Sequence, residues 1–272
     1  MIEVLKAILL GIVQGLAEFL PISSSGHLIV FKKLFNMDPA NYGLSFDIAL
    51  HFATLIAVCF VLWKEIWPLI KNPIQKYVLW IIVATIPAVL VGMFFDDYIE
   101  EFSQSGGFLV PCFLITAAIL WFSESIGRKT KDKDDITLKD SVIIGCTQAV
   151  AVMPGISRSG STLSEGLFCG LKKDVAITFS FMMAIPIIAG SAVLGVKDVI
   201  DDPASIQVVP TICGMIAALI SGFLAVKFMI KFFKKHSVKG FAIYVAVLAV
   251  LILVDQLFFQ QFFDTFLVFS MK

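Results

Sequence analysis

The stretch Ser141-Val142-Ile143-Ile144-Gly145-Cys146-Thr147-Gln148-Ala149-Val150-Ala151-Val152-Met153-Pro154-Gly155-Ile156-Ser157-Arg158-Ser159-Gly160 decides the fold. Its apolar run ends at Met153, and Pro154-Gly155 with the serines behind it stops a helix. At 1.5 Å per residue that run is about 20 Å long, short of a bilayer hydrocarbon core of roughly 30 Å. If the chain lives in a membrane, this segment enters without crossing.

The composition puts the chain there. Hydrophobic residues make up 58% of the 272 and charged residues only 15%, with a mean hydropathy of +0.93. A soluble domain lies near half apolar and a quarter charged. The lysines fall between apolar segments and form no continuous basic surface, which argues against nucleic acid. Five singly placed cysteines, Cys59, Cys112, Cys146, Cys169 and Cys213, lack the paired spacing of metal or redox sites and read as small hydrophobes. The first apolar run is interrupted by Gln14 and Glu18 and has no small-residue cleavage site after it, so it is expected to stay in the mature protein.

Apolar runs long enough to cross a bilayer lie at 44–63, 77–95, 107–123, 175–196, 208–230 and 240–259. Two shorter ones, 4–20 and 141–153, each end in a break, the first at Pro21-Ile22-Ser23-Ser24-Ser25-Gly26. Loop charge orients them. Lys64, Lys71 and Lys76, then Arg128, Lys129, Lys131, Lys133 and Lys139, then Lys227, Lys231, Lys234, Lys235 and Lys239 mark three loops as cytoplasmic. Loop 96–106 carries Asp96, Asp97, Glu100 and Glu101, and loop 197–207 carries Lys197 against Asp198, Asp201 and Asp202, so both belong outside. With two long spans between the second and third basic loops, segment 141–171 must enter and return. Lys32 and Lys33 then fall outside, against the rule. Irregular backbone at membrane depth survives only inside protein or along a wet cavity, so a site is expected at the breaks.

A shift of 134 residues lays Gly11 on Gly145, Gln14 on Gln148, Ala17 on Ala151, Ile22 on Ile156, Ser23 on Ser157, Ser25 on Ser159 and Gly26 on Gly160, seven identities in sixteen positions. Each half, about 1–130 and 131–272, then holds one broken hairpin and three spans. An odd span count inserts the second half upside down, and paired broken helices in inverted repeats meet near the midplane. The expected fold is an all-α polytopic membrane protein, a single membrane domain over 1–272, with six transmembrane helices and two re-entrant hairpins.

The breaks carry the chemistry. Gln14 and Glu18 stack on one helical face, and a carboxylate at that depth marks a functional pathway by default. Ser23, Ser24, Ser25, Gly26 and His27 follow and lead into a helix, a cradle for phosphate. The chain has two arginines, Arg128 and Arg158, and the second stands in the other break among Ser157, Ser159, Gly160, Ser161 and Thr162. Its planar fork matches phosphate oxygens. Together these give an anion clamp, a carboxylate–amide pair for a hard cation, hydroxyl nucleophiles and a histidine for proton transfer, the parts of phosphoryl transfer. Single serines beside Pro and Gly also serve as helix caps, and Glu18 with Arg158 also reads as a structural ion pair. Asp47 is a further candidate for holding the cation; Asp255 has no evident partner, and His51 and His236 lack neighbours that suggest a role. The rival reading is a lipid or small-molecule transporter or flippase using the same inverted-repeat cavity.

The stretches Gln14-Gly15-Leu16-Ala17-Glu18-Phe19-Leu20-Pro21-Ile22-Ser23-Ser24-Ser25-Gly26-His27 and Pro154-Gly155-Ile156-Ser157-Arg158-Ser159-Gly160-Ser161-Thr162 resemble the signatures of the undecaprenyl-diphosphate phosphatase family of the bacitracin-resistance type. The resemblance implies hydrolysis of a polyprenyl diphosphate to the monophosphate that carries cell-wall precursors, in the bacterial cell membrane, with an outward-facing site and a divalent cation, Mg²⁺ or another such as Ca²⁺. It places Ser24 and His27 as the catalytic pair, Glu18 and Gln14 on the acidic motif near the metal, and Arg158 on the diphosphate. Gln14 stands where many members have Glu, and Ser161 where many have Ala. Gln14, Ser23, Ser25, Gly26, Ser157, Ser159, Gly160 and Thr162 are the expected substrate-binding residues. The expected partners are the lipid substrate, membrane lipids and a second copy of the chain.

Overall fold

The computed structural model describes residues 1–37, 42–125, 129–201, 207–259 and 261–263, without the side chains of 96, 97, 99–105 and 194–201. The helices are α1 (Ile2–Phe19), α2 (Ser24–Leu34), α3 (Leu44–Val61), α4 (Trp63–Lys71), α5 (Lys76–Ser105), α6 (Leu109–Ser123), α7 (Leu138–Val150), α8 (Arg158–Phe168), α9 (Lys173–Asp201), α10 (Val208–Phe233) and α11 (Lys239–Val254). No strand occurs among the described residues; Lys131 and Leu171 form an isolated bridge.

Five stretches are long and apolar enough to span a bilayer: Leu44–Val61, Lys76–Phe95, Lys173–Val193, Val208–Phe233 and Lys239–Phe259. The sixth expected span, α6, is a shorter apolar helix of 15 residues, about 22 Å at 1.5 Å per residue. The charged loops also differ from the sequence reading. The 96–106 stretch is helical as far as Ser105, because acidic residues alone do not break a helix; Gly106, at φ +67°, ends it. The backbone likewise stays helical to Asp201 in the second acidic stretch, and the 64–76 loop contains α4. Of the loop charges, Arg128 and Asp202 lie outside the described residues, as do the side chains of Asp96, Asp97, Glu100, Glu101, Lys197, Asp198 and Asp201.

Three of the helices at the breaks, α2, α7 and α8, start at side-chain caps. Ser157 Oγ accepts from the Gly160 N–H at 3.0 Å, and Ser23 Oγ from the Gly26 N–H at 3.4 Å. Thr137 opens α7 in a reciprocal capping box with Asp140. Burial would raise the Asp140 carboxyl, but the Lys131 ammonium, 2.9 Å from both its oxygens, and the Thr137 N–H and hydroxyl hold it below the ordinary aspartate value.

The helices of the first half of the chain pack mainly on those of the second. α1 lies along α10 and α7 along α5; α3 packs on both α10 and α9, and α9 on α5; α6 pairs with α11. The close approaches rest on glycine. A Cβ on Gly11 would overlap the Gly214 carbonyl of α10, and one on Gly145 would come within 2.7 Å of the Ala84 carbonyl oxygen of α5. α9 is the most enclosed span, with 56% of its window buried against 22% for α5. Outer faces present Phe60, Phe94, Ile220, Phe228 and Leu251, the surface that lipid rather than water would cover.

Candidate active site

Four residues lie between the end of α1 and the start of α2, and among them Ser23 takes φ +73°, a conformation few non-glycine residues adopt. The surroundings fix it from several sides. Its hydroxyl accepts from the Gly155 N–H of the second break at 3.1 Å, and its carbonyl accepts from the His27 N–H at 3.1 Å and faces His27 Nδ1 at 2.8 Å. The second break reaches back: Ser159 Oγ donates to the Leu20 carbonyl at 3.1 Å. α6 braces it, with the Ser157 N–H donating to Thr116 Oγ1 and that hydroxyl to the Gly155 carbonyl, both at 3.0 Å. The two breaks are interlocked through main-chain groups.

This interlock brings Glu18 and Arg158 together. Arg158 Nη2 donates to Glu18 Oε1. Glu18 Oε2 accepts from Ser24 Oγ at 2.6 Å and from Gln14 Nε2 at 3.0 Å. Only 4% of the Glu18 side chain is accessible, yet 16% of Arg158 and 29% of His51 are, so the cluster opens to the surroundings. An ion pair this buried is stabilised only while both partners remain.

Gln14, Glu18, Ser24 and Arg158 therefore form one connected group. His27 sits apart from the Ser24 hydroxyl in its hydrogen bonding: its Nε2 is 2.9 Å from Tyr244 Oη on α11. The titratable side chain hydrogen-bonded to Ser24 is Glu18. The hydroxyls of Ser23, Ser157, Ser159 and Thr162 are engaged by the protein itself, Thr162 Oγ1 lying 2.9 Å from the Arg158 carbonyl and 2.6 Å from Ser180 Oγ. Ser25 Oγ lies 3.5 Å from Ser23 Oγ. Gly26 and Gly160 let the breaks close up: a Cβ on Gly26 would come 3.0 Å from Gly155 Cα, and one on Gly160 3.2 Å from Pro21 Cβ.

Three assignments from sequence change. His51, given no role, directs Nε2 at Glu18 Oε2 from 3.5 Å while its Nδ1 donates to the Asp47 carbonyl at 2.8 Å. Asp47, a candidate for the cation, has both carboxylate oxygens within 2.7 Å of Lys32 Nζ. That pair also neutralises one of the two lysines that offended the charge rule. Asp255 accepts from the N–H groups of Phe262 and Phe263 at 3.1 and 2.9 Å and caps the turn that follows α11. Sequence held no signal for the His51 contact, which joins positions 33 residues apart on different helices.

No group of three or more His, Cys, Asp or Glu side chains that could hold a metal occurs among the described residues. The donor set nevertheless suits a hard cation bound jointly with an anion. Gln14 Oε1 is buried without a hydrogen-bond partner and belongs to the residue that touches the Glu18 carboxylate. Mg²⁺ usually binds through one or two carboxylates completed by substrate phosphate oxygens and water, and here Gln14 Oε1 would add an amide oxygen to the single carboxylate.

Fold and site define a helical membrane protein in which an acid–arginine pair and a serine hydroxyl meet where two helix breaks interlock. A family model described as "Bacitracin resistance protein BacA" matches residues 7–251. The chain is 45% identical over 253 residues to undecaprenyl-diphosphatase 3 of Bacillus cereus, covering 93% of this chain and 97% of that one. It is 43% identical to an undecaprenyl-diphosphatase of Bacteroides thetaiotaomicron over 93% of this chain and 99% of that one. With the same enzyme of Carboxydothermus hydrogenoformans identity is 41%, over 92% and 97% of the two chains. The chain belongs to the BacA bacitracin resistance family.

Proposed function

We propose that this protein hydrolyses undecaprenyl diphosphate to undecaprenyl phosphate and inorganic phosphate in the bacterial cell membrane. By recycling the lipid carrier for cell-wall synthesis it would confer bacitracin resistance. The observation that carries the reading is the Glu18–Arg158–Ser24 cluster at the joined breaks, in a chain whose relatives bear the name of that activity.

In the resting site Arg158 neutralises Glu18. An incoming diphosphate competes for the guanidinium, whose fork binds two phosphate oxygens at once. Releasing Glu18 leaves a carboxylate in contact with the Ser24 hydroxyl at 2.6 Å. Ser24 Oγ attacks the terminal phosphorus and its proton passes to Glu18. The bond from that phosphorus to the bridging oxygen breaks, undecaprenyl phosphate departs, and water then cleaves the phosphoserine to release phosphate and restore the hydroxyl. His27, one helical turn beyond Ser24 on α2, is the second group able to move a proton, for the attacking water. A divalent cation such as Mg²⁺, held by Glu18 and Gln14 Oε1 with the diphosphate oxygens, would neutralise charge on the transferring group. Positioning and electrostatics by these side chains carry the rest.

For the topology, we read α3, α5, α6, α9, α10 and α11 as six spans and α1–α2 and α7–α8 as re-entrant hairpins, in two inverted halves near 1–130 and 131–272. The exchange of partners, α1 on α10 against α7 on α5, supports it, as do the 11-residue lengths of α2 and α8. The site then faces outward.

Full-length protein in detergent should release phosphate from farnesyl diphosphate, lose that activity to a chelator and regain it with Mg²⁺. Substrate-dependent movement across vesicles with no phosphate released would refute the reading.

A further inference from the structure

His51 stands beside the Glu18 cluster with one ring nitrogen committed and the other not. Nδ1 faces the Asp47 carbonyl at 2.8 Å; a carbonyl only accepts, so Nδ1 carries a proton and the neutral ring offers a lone pair at Nε2. That lone pair looks at Glu18 Oε2 from 3.5 Å, and a carboxylate oxygen also only accepts. No proton lies between two such acceptors, and the separation is long for a hydrogen bond. A third acceptor, Gln14 Oε1, is buried without a partner. A half-turn of the Gln14 amide brings that oxygen to where its nitrogen now stands, 3.0 Å from Glu18 Oε2. Arg158 already balances the Glu18 charge at Oε1, and Asp47 holds Lys32, so the carboxylate needs no further cationic side chain.

We propose that His51 Nε2 is the third protein ligand of the divalent cation, beside Glu18 and Gln14. The proposal rests on the hydrolytic reading above for the diphosphate that completes the site. Two donors each about 2.1 Å from one ion stand about 3.0 to 3.4 Å apart, depending on the angle between them. The 3.5 Å between His51 Nε2 and Glu18 Oε2 is therefore close to a ligand-to-ligand separation. A proton on the far ring nitrogen, given to a main-chain carbonyl, is the usual support of a metal-bound histidine: it fixes the tautomer and aims the lone pair. The His51 side chain is 29% accessible and Glu18 4%, so His51 forms the open side of the cluster. A nitrogen donor also changes which ion the site favours. Oxygen ligands alone suit Mg²⁺ and Ca²⁺, whereas an imidazole adds affinity for transition ions such as Co²⁺ and Zn²⁺.

Full-length protein labelled with ¹⁵N-histidine and freed of any purification tag should be mixed in detergent with Co²⁺ and methylenediphosphonate, a diphosphate that is not hydrolysed. The chain has three histidines, so the ring signals are few. One protonated Nδ1 should shift far outside the normal range, as in a ring bound directly to Co²⁺, and His51→Leu should abolish that signal while His236→Gln keeps it. Removing the donor should weaken Co²⁺ binding at least tenfold, the scale on which loss even of a ligand's supporting hydrogen bond is felt, and leave Mg²⁺ binding within about twofold. The shift is read on the parent protein and does not depend on the variant folding. Bound Co²⁺ with no strongly shifted histidine, a shifted signal that survives in His51→Leu, or an equal loss of Co²⁺ and Mg²⁺ affinity would each overturn the assignment; the last is what a merely cationic partner of Glu18 would give. A parent that releases no phosphate from farnesyl diphosphate brings down the hydrolytic reading, whereas one that releases it and shows no shifted histidine brings down the ligand assignment alone.

Discussion

Replacing Arg158 separates what the ion pair does for stability from what it does for turnover. Arg158→Ala leaves Glu18, 4% accessible, as a charge without its cation. Stranding one member of a buried pair costs roughly 3 to 5 kcal/mol. The lower end applies here, because Ser24 and Gln14 still donate to the carboxylate and Arg158 is itself partly accessible. Adding Glu18→Gln removes the stranded charge, so the double variant should recover most of that loss in thermal unfolding followed by tryptophan fluorescence in detergent. Phosphate release should remain down by about 10²- to 10³-fold in both, the usual consequence of removing a donor aimed at developing negative charge. Arg158→Lys keeps the charge and therefore the fold. It loses the fork, for a fall of about 10- to 100-fold in kcat/KM. An Arg158→Ala protein as stable as its parent, or a double variant no more stable than the single one, would refute the argument that the pair is buried and mutually dependent.

Ser24→Ala should abolish phosphate release, and acid quenching of the parent during turnover should trap phosphate on Ser24; full activity of the alanine variant rules out the covalent route. Gly145→Ala places a Cβ 2.7 Å from the Ala84 carbonyl oxygen and should destabilise by about 1 to 3 kcal/mol, while Gly92→Ala, with nothing within 4 Å, should be neutral or slightly stabilising in the same unfolding measurement. Asp140 is held below its ordinary value, so its contribution is present above the unfolded aspartate value and disappears as pH falls through the native one. The gap in unfolding temperature between the parent and Asp140→Asn should be widest near neutrality and close below about pH 4.

The breaks were legible because their signals are local. Pro154-Gly155 and Pro21 stop helices wherever they stand, and Gln14 with Glu18 shares a face by spacing alone. That the two breaks would meet was expected from laying one on the other at a 134-residue offset, and Arg158 does reach Glu18. What sequence missed depends on crossings between helices. His51 reaches Glu18 only because α3 passes the end of α1, and Tyr244 reaches His27 across 217 residues. Helix ends differ where the end of an apolar run is not the end of the helix. The acidic stretch after Phe95 stays helical until a glycine with positive φ stops it, and α6 begins two residues later than its apolar run suggests.

The salt bridge at the centre of the site spans 140 residues of sequence. At 5 to 20 residues per second of synthesis, Glu18 leaves the ribosome on the order of 10 s before the arginine that will neutralise it. During that interval the first hairpin holds an acid whose arginine lies in the part of the chain not yet made. Until Arg158 emerges, Gln14, Ser24 and His51 are the side chains at hand to support that acid. Closure of the Glu18–Arg158 pair is therefore a late event in the biogenesis of this protein, and a ribosome that stalls midway leaves behind a fragment whose inner acid lacks its arginine.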